Sequence, residues 1–289
     1  MGQVKIVTDT TADLSKELLE TYDIKVIPTT ISIEMKAYKD FVELSAEEFY
    51  EKLRQSDKPP ITSPPSRKEF STVYTELSQV TDTIISIHLS SKLSKTYELA
   101  TNMAKYCTDL ARKQGKDLTI EVVDSLNTSI ALGMVVMEAA KLATAGKSKE
   151  EILDRVGTII PQIKTLFVVE TMEYLQKSGR IGRAAAFIGG LLNLKPILTI
   201  EHGEAGPKDR VRGGKVFERI VEIMSQDIPA GSKINLGLAH AMDVEKIQAV
   251  QRLIESRFDC VEVYVSTMGS SVGATVGPGS FGIVYYPAR

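Results

Sequence analysis

Two hydroxyl-bearing segments stand out for the chemistry they could do. One is Ser90-Ser91-Lys92-Leu93-Ser94-Lys95-Thr96-Tyr97, directly after the apolar run Ile84-Ile85-Ser86-Ile87-His88-Leu89. The other is Thr62-Ser63, set inside Pro59-Pro60-Ile61-Thr62-Ser63-Pro64-Pro65-Ser66. A strand end that empties into hydroxyls and then a helix leaves free backbone N–H groups and the positive end of a helix dipole facing outward, a setting that favours a carboxylate or phosphate. The proline loop is cheap to order because its backbone is already restricted. The two clusters are expected to converge on one small acidic group.

Other patterns compete for attention. Asp9-Thr10-Thr11 follows the apolar Val4-Lys5-Ile6-Val7 and so sits past a strand's carboxyl end, where open α/β sheets hold ligands; capping the next helix would explain the same residues. Arg180, Arg183, Arg210 and Arg212 fall in glycine-containing turns, where guanidinium groups either clamp phosphates and carboxylates or stay solvated. Gly269-Ser270-Ser271-Val272-Gly273 satisfies the G-x-S-x-G nucleophile elbow, but no Asp, Glu or His follows Ser271 to complete that fold's triad, and a structural turn is expected. Gly277-Pro278-Gly279-Ser280-Phe281-Gly282 satisfies G-x-G-x-x-G yet leads into a strand, so it is no dinucleotide fingerprint. The three histidines, His88, His202 and His240, are too far apart for a zinc motif. His88 reads as a core or pocket histidine, and His240 ends a strand at an inter-element surface.

Alternating elements must carry these residues. Strands are expected at residues 4–7, 24–27, 29–35, 83–88 and 118–123, with helices at about 12–21, 45–55, 66–77, from 94 onward, 128–144 and 148–163. Ser45 with Glu48 and Ser66 with Glu69 form capping boxes, and Ser148 opens a further capped helix. The helix from Ser94 carries Met103, Ala104, Cys107, Leu110 and Ala111 on one stripe, which makes Cys107 a core residue. The 128–144 helix is apolar on nearly every face, as expected of one buried on several sides or lining an oily cavity. Strand–helix alternation predicts an α/β fold with a mostly parallel sheet in the first half. In the second half strands are expected at 166–169, 194–200, 234–239, 261–265 and 281–286, and helices near 216–226 and 244–257.

At 289 residues the chain suggests two domains, divided here into 1–161 and 162–289. A net charge of −2 without a long basic run gives no ground for nucleic-acid binding. Cys107 and Cys260 form no CxxC pair and read as reduced thiols. The opening Met1–Asp9 lacks the apolar core of an export signal, and no stretch approaches the roughly 18 apolar residues of a membrane span. A cytoplasmic location is expected.

Several of these segments together resemble the DegV family. They are Asp9-Thr10-Thr11, Thr62 to Ser66, Ser90 to Tyr97, Asp124-Ser125, Glu173 to Ile181, Leu194 to Leu198, Arg210 to Gly213 and Gly277-Pro278-Gly279, in order over the full length. The resemblance implies an N-terminal Rossmann-like domain with a mostly parallel sheet and a C-terminal α/β domain with a partly antiparallel sheet. A long-chain fatty acid such as palmitate would lie between them. Its carboxylate would be held by Thr62 and Ser94, with Ser63, Thr96 and Thr275 completing the ligand set. The implied role is that of a carrier without catalysis or cofactor, presenting the acyl group to a subunit of the bacterial fatty acid kinase system for acyl-phosphate formation and phospholipid synthesis. Transient membrane contact would serve lipid exchange.

Two positions depart from the family pattern. Lys95 replaces a common glycine beside the carboxylate site, and Thr275 replaces a common histidine near Gly-Pro-Gly, removing a group that could carry protons. Burying about 14 methylenes at roughly 0.8 kcal/mol each gives on the order of 11 kcal/mol gross, so the chain should set affinity and the hydroxyls orientation. Arg180, Arg210, Arg212 and His240 are expected on a partner-docking surface. The competing reading is a hydrolase or transferase acting on an acyl or phosphorylated substrate through Asp9, Asp124 or Ser271.

Overall fold

The computed structural model describes residues 3–188 and 194–288; Met1 and Gly2 of the opening segment, residues 189–193 and Arg289 lie outside them. The first half runs β1 (Lys5–Asp9), α1 (Lys16–Thr21), β2 (Lys25–Ile27), β3 (Thr30–Ile33), β4 (Lys36–Lys39), α2 (Ala46–Gln55), β5 (Ile61–Ser63), α3 (Arg67–Leu77), β6 (Thr83–His88), α4 (Thr96–Lys113), β7 (Thr119–Asp124), α5 (Ile130–Thr144) and α6 (Lys149–Ile159). The second runs β8 (Lys164–Val168), α7 (Glu173–Ser178), β9 (Leu194–Glu201), β10 (Glu204–Arg212), α8 (Val216–Asp227), β11 (Lys233–His240), α9 (Val244–Glu255), β12 (Asp259–Thr267), α10 (Ser270–Val276) and β13 (Phe281–Pro287).

Strands β2-β1-β6-β7 form a wholly parallel sheet, and β4-β3-β5 a small antiparallel one. The second half builds a sheet of order β10-β9-β8-β13-β11-β12, antiparallel except between β11 and β12. The α/β class with a parallel N-terminal sheet and a partly antiparallel C-terminal one is as expected. Ser45/Glu48, Ser66/Glu69 and Ser148/Glu151 all close as reciprocal capping boxes.

Helix α5 lies between the two large sheets, against β1 and β6 on one side and β11 and β12 on the other. Its all-round apolar character follows from that position. Glycines make the fit possible: a Cβ on Gly133 would meet the Ala12 carbonyl oxygen at 2.6 Å, and one on Gly237 would meet the Met134 sulfur at 2.5 Å.

Four local expectations are corrected. The helix expected from about residue 12 is broken, because Asp9 caps a 3-10 turn at Thr10–Ala12 and Asp13 is left-handed (φ 50°) before α1 begins. The 29–35 strand is a hairpin, with Glu34 and Met35 both at positive φ (47° and 69°) in a two-residue turn. Arg210 and Arg212 lie on strand β10 rather than in turns. The Gly269 to Gly273 segment opens a helix, α10, rather than a simple turn.

Candidate ligand-binding site

A cavity of about 1030 Å³, part of it open to solvent, runs between the C-terminal edge of the parallel sheet and one face of the six-stranded sheet. Its apolar wall is explained by strand register. Ala239 of β11, Gly282 of β13 and Phe167 of β8 are paired side by side, and all three line the cavity. Two small residues in this row hollow the middle of the sheet, and Ile200 and Ala205, paired on β9 and β10, extend the same wall. Sequence reasoning missed these residues.

Thr62, Ser63, Ser94, Thr96 and Thr275 all line this one cavity. Thr62 and Ser63 come from β5, and Ser94 from the loop after β6. Among the described residues no hydrogen bond occupies the Thr62 or Ser63 hydroxyl. Ser94 Oγ accepts from the Thr96 N–H at 3.3 Å and shares a proton with Thr96 Oγ1 at 3.0 Å. With Thr96 donating to Ser94, the Ser94 proton is free to point at a ligand. Thr275 is different: its hydroxyl donates to the Ser271 carbonyl one helical turn back at 3.3 Å, so its own proton is already engaged.

Arg180 also lines the cavity, and it is the one charged side chain that does so among the described residues. It follows the left-handed Gly179 that ends α7. Its Nε donates to the Leu93 carbonyl at 3.3 Å and its Nη1 to the Ser178 carbonyl, and no described carboxylate pairs with it. The guanidinium therefore stands next to Ser94. Lys95, by contrast, is exposed and outside the cavity wall. Arg210 and Arg212 are exposed on edge strand β10, and Arg183 pairs with Glu201 at 3.0 Å. His240 is only 6% exposed, with burial lowering its pKa and Asp243 opposing that, so its side chain offers a partner little surface.

Behind the polar wall lie three buried carboxylates. Asp9 accepts from the Thr11 N–H (3.1 Å) and hydroxyl, the Leu89 N–H (3.3 Å) and His88 Nδ1 (2.8 Å). His88 Nε2 in turn accepts from Ser86 at 2.7 Å, which accepts from the Tyr74 hydroxyl at 2.9 Å. The connectivity is that of an Asp-His-Ser triad, but Ser86 and His88 are wholly buried and outside the cavity wall, so no substrate reaches them. The relay instead fixes Thr11 and Leu89, which do line the cavity.

Asp40 binds the start of α10 through the Ser270 N–H (3.1 Å), the Ser270 hydroxyl (2.5 Å) and the Ser271 N–H (3.3 Å). Asp13 accepts from the Gly269 N–H at 2.9 Å and from the Ser129 hydroxyl at 2.5 Å. Ser271 has a strand–turn–helix setting like an elbow nucleophile, yet its hydroxyl meets Thr29 at 2.6 Å and no histidine. Asp124 is spent on the Ser91 and Leu126 N–H groups.

Burial lifts the Asp13 carboxyl well above its ordinary value, against the lowering from Ser129 and Gly269. A native value above the unfolded one of about 3.9 means that folding holds this proton more tightly. The stability it contributes is complete below pH ~4 and is lost as pH rises through the native value. Asp13→Asn keeps an acceptor for Gly269 and a donor for Ser129. It is expected to melt above the wild type at about pH 8, with the gap closing towards pH ~4 in calorimetric scans. A gap that widens on acidification would contradict this.

Comparison with known proteins places these features in context. A family model described as the DegV family matches residues 3–288. A DegV domain-containing protein of Caldanaerobacter subterraneus subsp. tengcongensis is 37% identical over 286 residues, 99% of each chain. A fatty-acid-binding DegV family protein from Thermus thermophilus superposes with a TM-score of 0.89 at 31% identity, covering 99% of this chain and 100% of the other. DegV of Bacillus subtilis, described as a fatty acid binding protein, superposes with a TM-score of 0.87 at 29% identity over 100% of both chains.

Proposed function

The chain belongs to the DegV family, and from that premise we propose that it binds a long-chain fatty acid such as palmitate, with the carboxylate at Thr62, Ser63, Ser94 and Arg180 and the chain buried along the β8, β11 and β13 wall. The observation that carries this reading is the joining of that donor set with a largely apolar lining in one cavity. Thr96 acts by supporting Ser94, and Thr275 as an acceptor. The role is that of a cytoplasmic carrier rather than an enzyme, handing the acyl group to a fatty acid kinase subunit for lipid synthesis, with brief membrane contact during exchange. No described helix is long and apolar enough to cross a membrane. Arg210 and Arg212 remain the docking candidates. Arg180 is reassigned to the ligand, and His240 is too buried to remain a docking candidate. The border we propose between the carboxylate-binding unit and the chain-covering unit is residue 161, in the turn that joins α6 to β8.

The hydrolase or transferase alternative finds no support in the geometry, since Asp9, Asp124 and Ser271 are each held by structural partners. Titration with hexadecanoic acid tests the proposal. Binding should stabilise the fold by about 2.7 kcal/mol when free ligand exceeds Kd a hundredfold. Absence of any rise in melting temperature would reject it. Thr62→Ala and Ser94→Ala should each weaken binding roughly tenfold, the value of about one charge-assisted hydrogen bond, without abolishing it. Calorimetric titration of the double variant at wild-type affinity would contradict the assignment.

A further inference from the structure

The cavity's polar atoms divide into two chemical sets. Thr62, Ser63, Ser94 and Arg180 have protons to offer a ligand. On the wall backed by Asp9, Asp13 and Asp40 the protons are already directed at the acids. Thr11 donates its hydroxyl to Asp9. Thr29 donates to Asp40 at 3.3 Å and shares a 2.6 Å hydrogen bond with Ser271. Thr11, Thr29, Ser129 and Ser271 nevertheless all reach the cavity surface, where they present mainly lone pairs.

We infer that this wall is a second subsite, which receives a hydroxyl group carried on the acyl chain and turns away a second carboxylate. The inference rests on the fatty-acid reading above and adds which acids the cavity selects. A plain methylene laid against these oxygens leaves them unpaired, whereas a hydroxyl can donate to them. Ser129 fits the same ligand in either proton arrangement. If Asp13 is protonated it donates to Ser129, whose own proton is then free for a ligand; if Asp13 is ionised, Ser129 donates to it and can only accept from a ligand. A hydroxyl meets both cases and a carboxylate only the first. The lining cation Arg180 stands beside Ser94, so one anionic head is met at the donor set, while the lone pairs presented by this wall oppose another.

The test is a competition series on the whole chain at fixed pH. It uses hexadecanoic acid, monohydroxyhexadecanoic acids with the hydroxyl moved stepwise along the chain, and hexadecanedioic acid. At one position, or two adjoining ones, the hydroxy acid should bind at least as tightly as hexadecanoic acid, and elsewhere at least tenfold more weakly. The diacid should bind at least a hundredfold more weakly. In Ser129→Ala or Ser271→Ala the favoured isomer should lose at least tenfold relative to hexadecanoic acid. A hydroxyl that weakens binding tenfold at every position, or a diacid that binds as well as hexadecanoic acid, overturns the subsite. Should the variants fail to fold, the wild-type series decides alone. Failure of hexadecanoic acid itself to bind would instead remove the underlying fatty-acid reading.

Discussion

Gly282→Leu should reduce affinity for hexadecanoic acid by roughly 150-fold while leaving the fold in place. Gly282 sits mid-sheet between Ala239 and Phe167 and faces the cavity. A Cβ there would meet Met268 at 3.6 Å and the Leu166 carbonyl oxygen at 3.8 Å, both ordinary contacts, so the new side chain must grow into the open space. Glycine is a weak strand residue, and its replacement costs the sheet little. A leucine side chain excludes about four methylenes of ligand, worth about 3 kcal/mol, which is the stated fold-change. Calorimetric titration and a melting curve on the same sample separate blockage from unfolding. Wild-type affinity in a folded Gly282→Leu protein would mean that the acyl chain lies elsewhere.

Arg180→Gln should cost about 1.5–3 kcal/mol in binding, or roughly ten- to 150-fold, because it removes a charge-assisted donor from a partly desolvated site. The loss should be selective. Hexadecanol carries no charge for the guanidinium to meet, so its binding should change by less than threefold, and the preference for acid over alcohol should largely collapse. Loss of both ligands to the same extent would assign Arg180 to the structure of the α7 turn, where it already donates to Ser178 and Leu93.

Much of the N-terminal half was legible because its signals are local. The capping boxes at Ser45, Ser66 and Ser148 and the β-branched run of β6 declare themselves within a few residues. The hydroxyls proposed for the carboxylate came from resemblance and from their positions at a strand end and a stiff loop. What escaped was set by distant partners. Helix α10, Ser-Ser-Val-Gly-Ala-Thr-Val, has weak helix formers, and its start is held by Asp40 and Asp13, 230 and 256 residues earlier for the Ser270 and Gly269 contacts. Strand β10 reads as a turn-rich polar segment because it lies at a sheet edge and carries Gly206-Pro207 beside a register shift. The hollow made by Ala239 and Gly282 exists only once β11, β13 and β8 are paired. Arg180 was recognisable as an anion-seeking side chain, but only the packing of α7 against the Leu93 loop turns it towards the cavity.

The central claim, that this cavity is an acyl-chain site, is tested most directly by extracting the purified full chain with organic solvent and weighing the extract by mass spectrometry. The expected result is a long-chain fatty acid at close to one molecule per chain, absent from a Gly282→Leu sample prepared in parallel. An extract free of fatty acid from wild-type protein that also gains no thermal stability on adding hexadecanoic acid would contradict it.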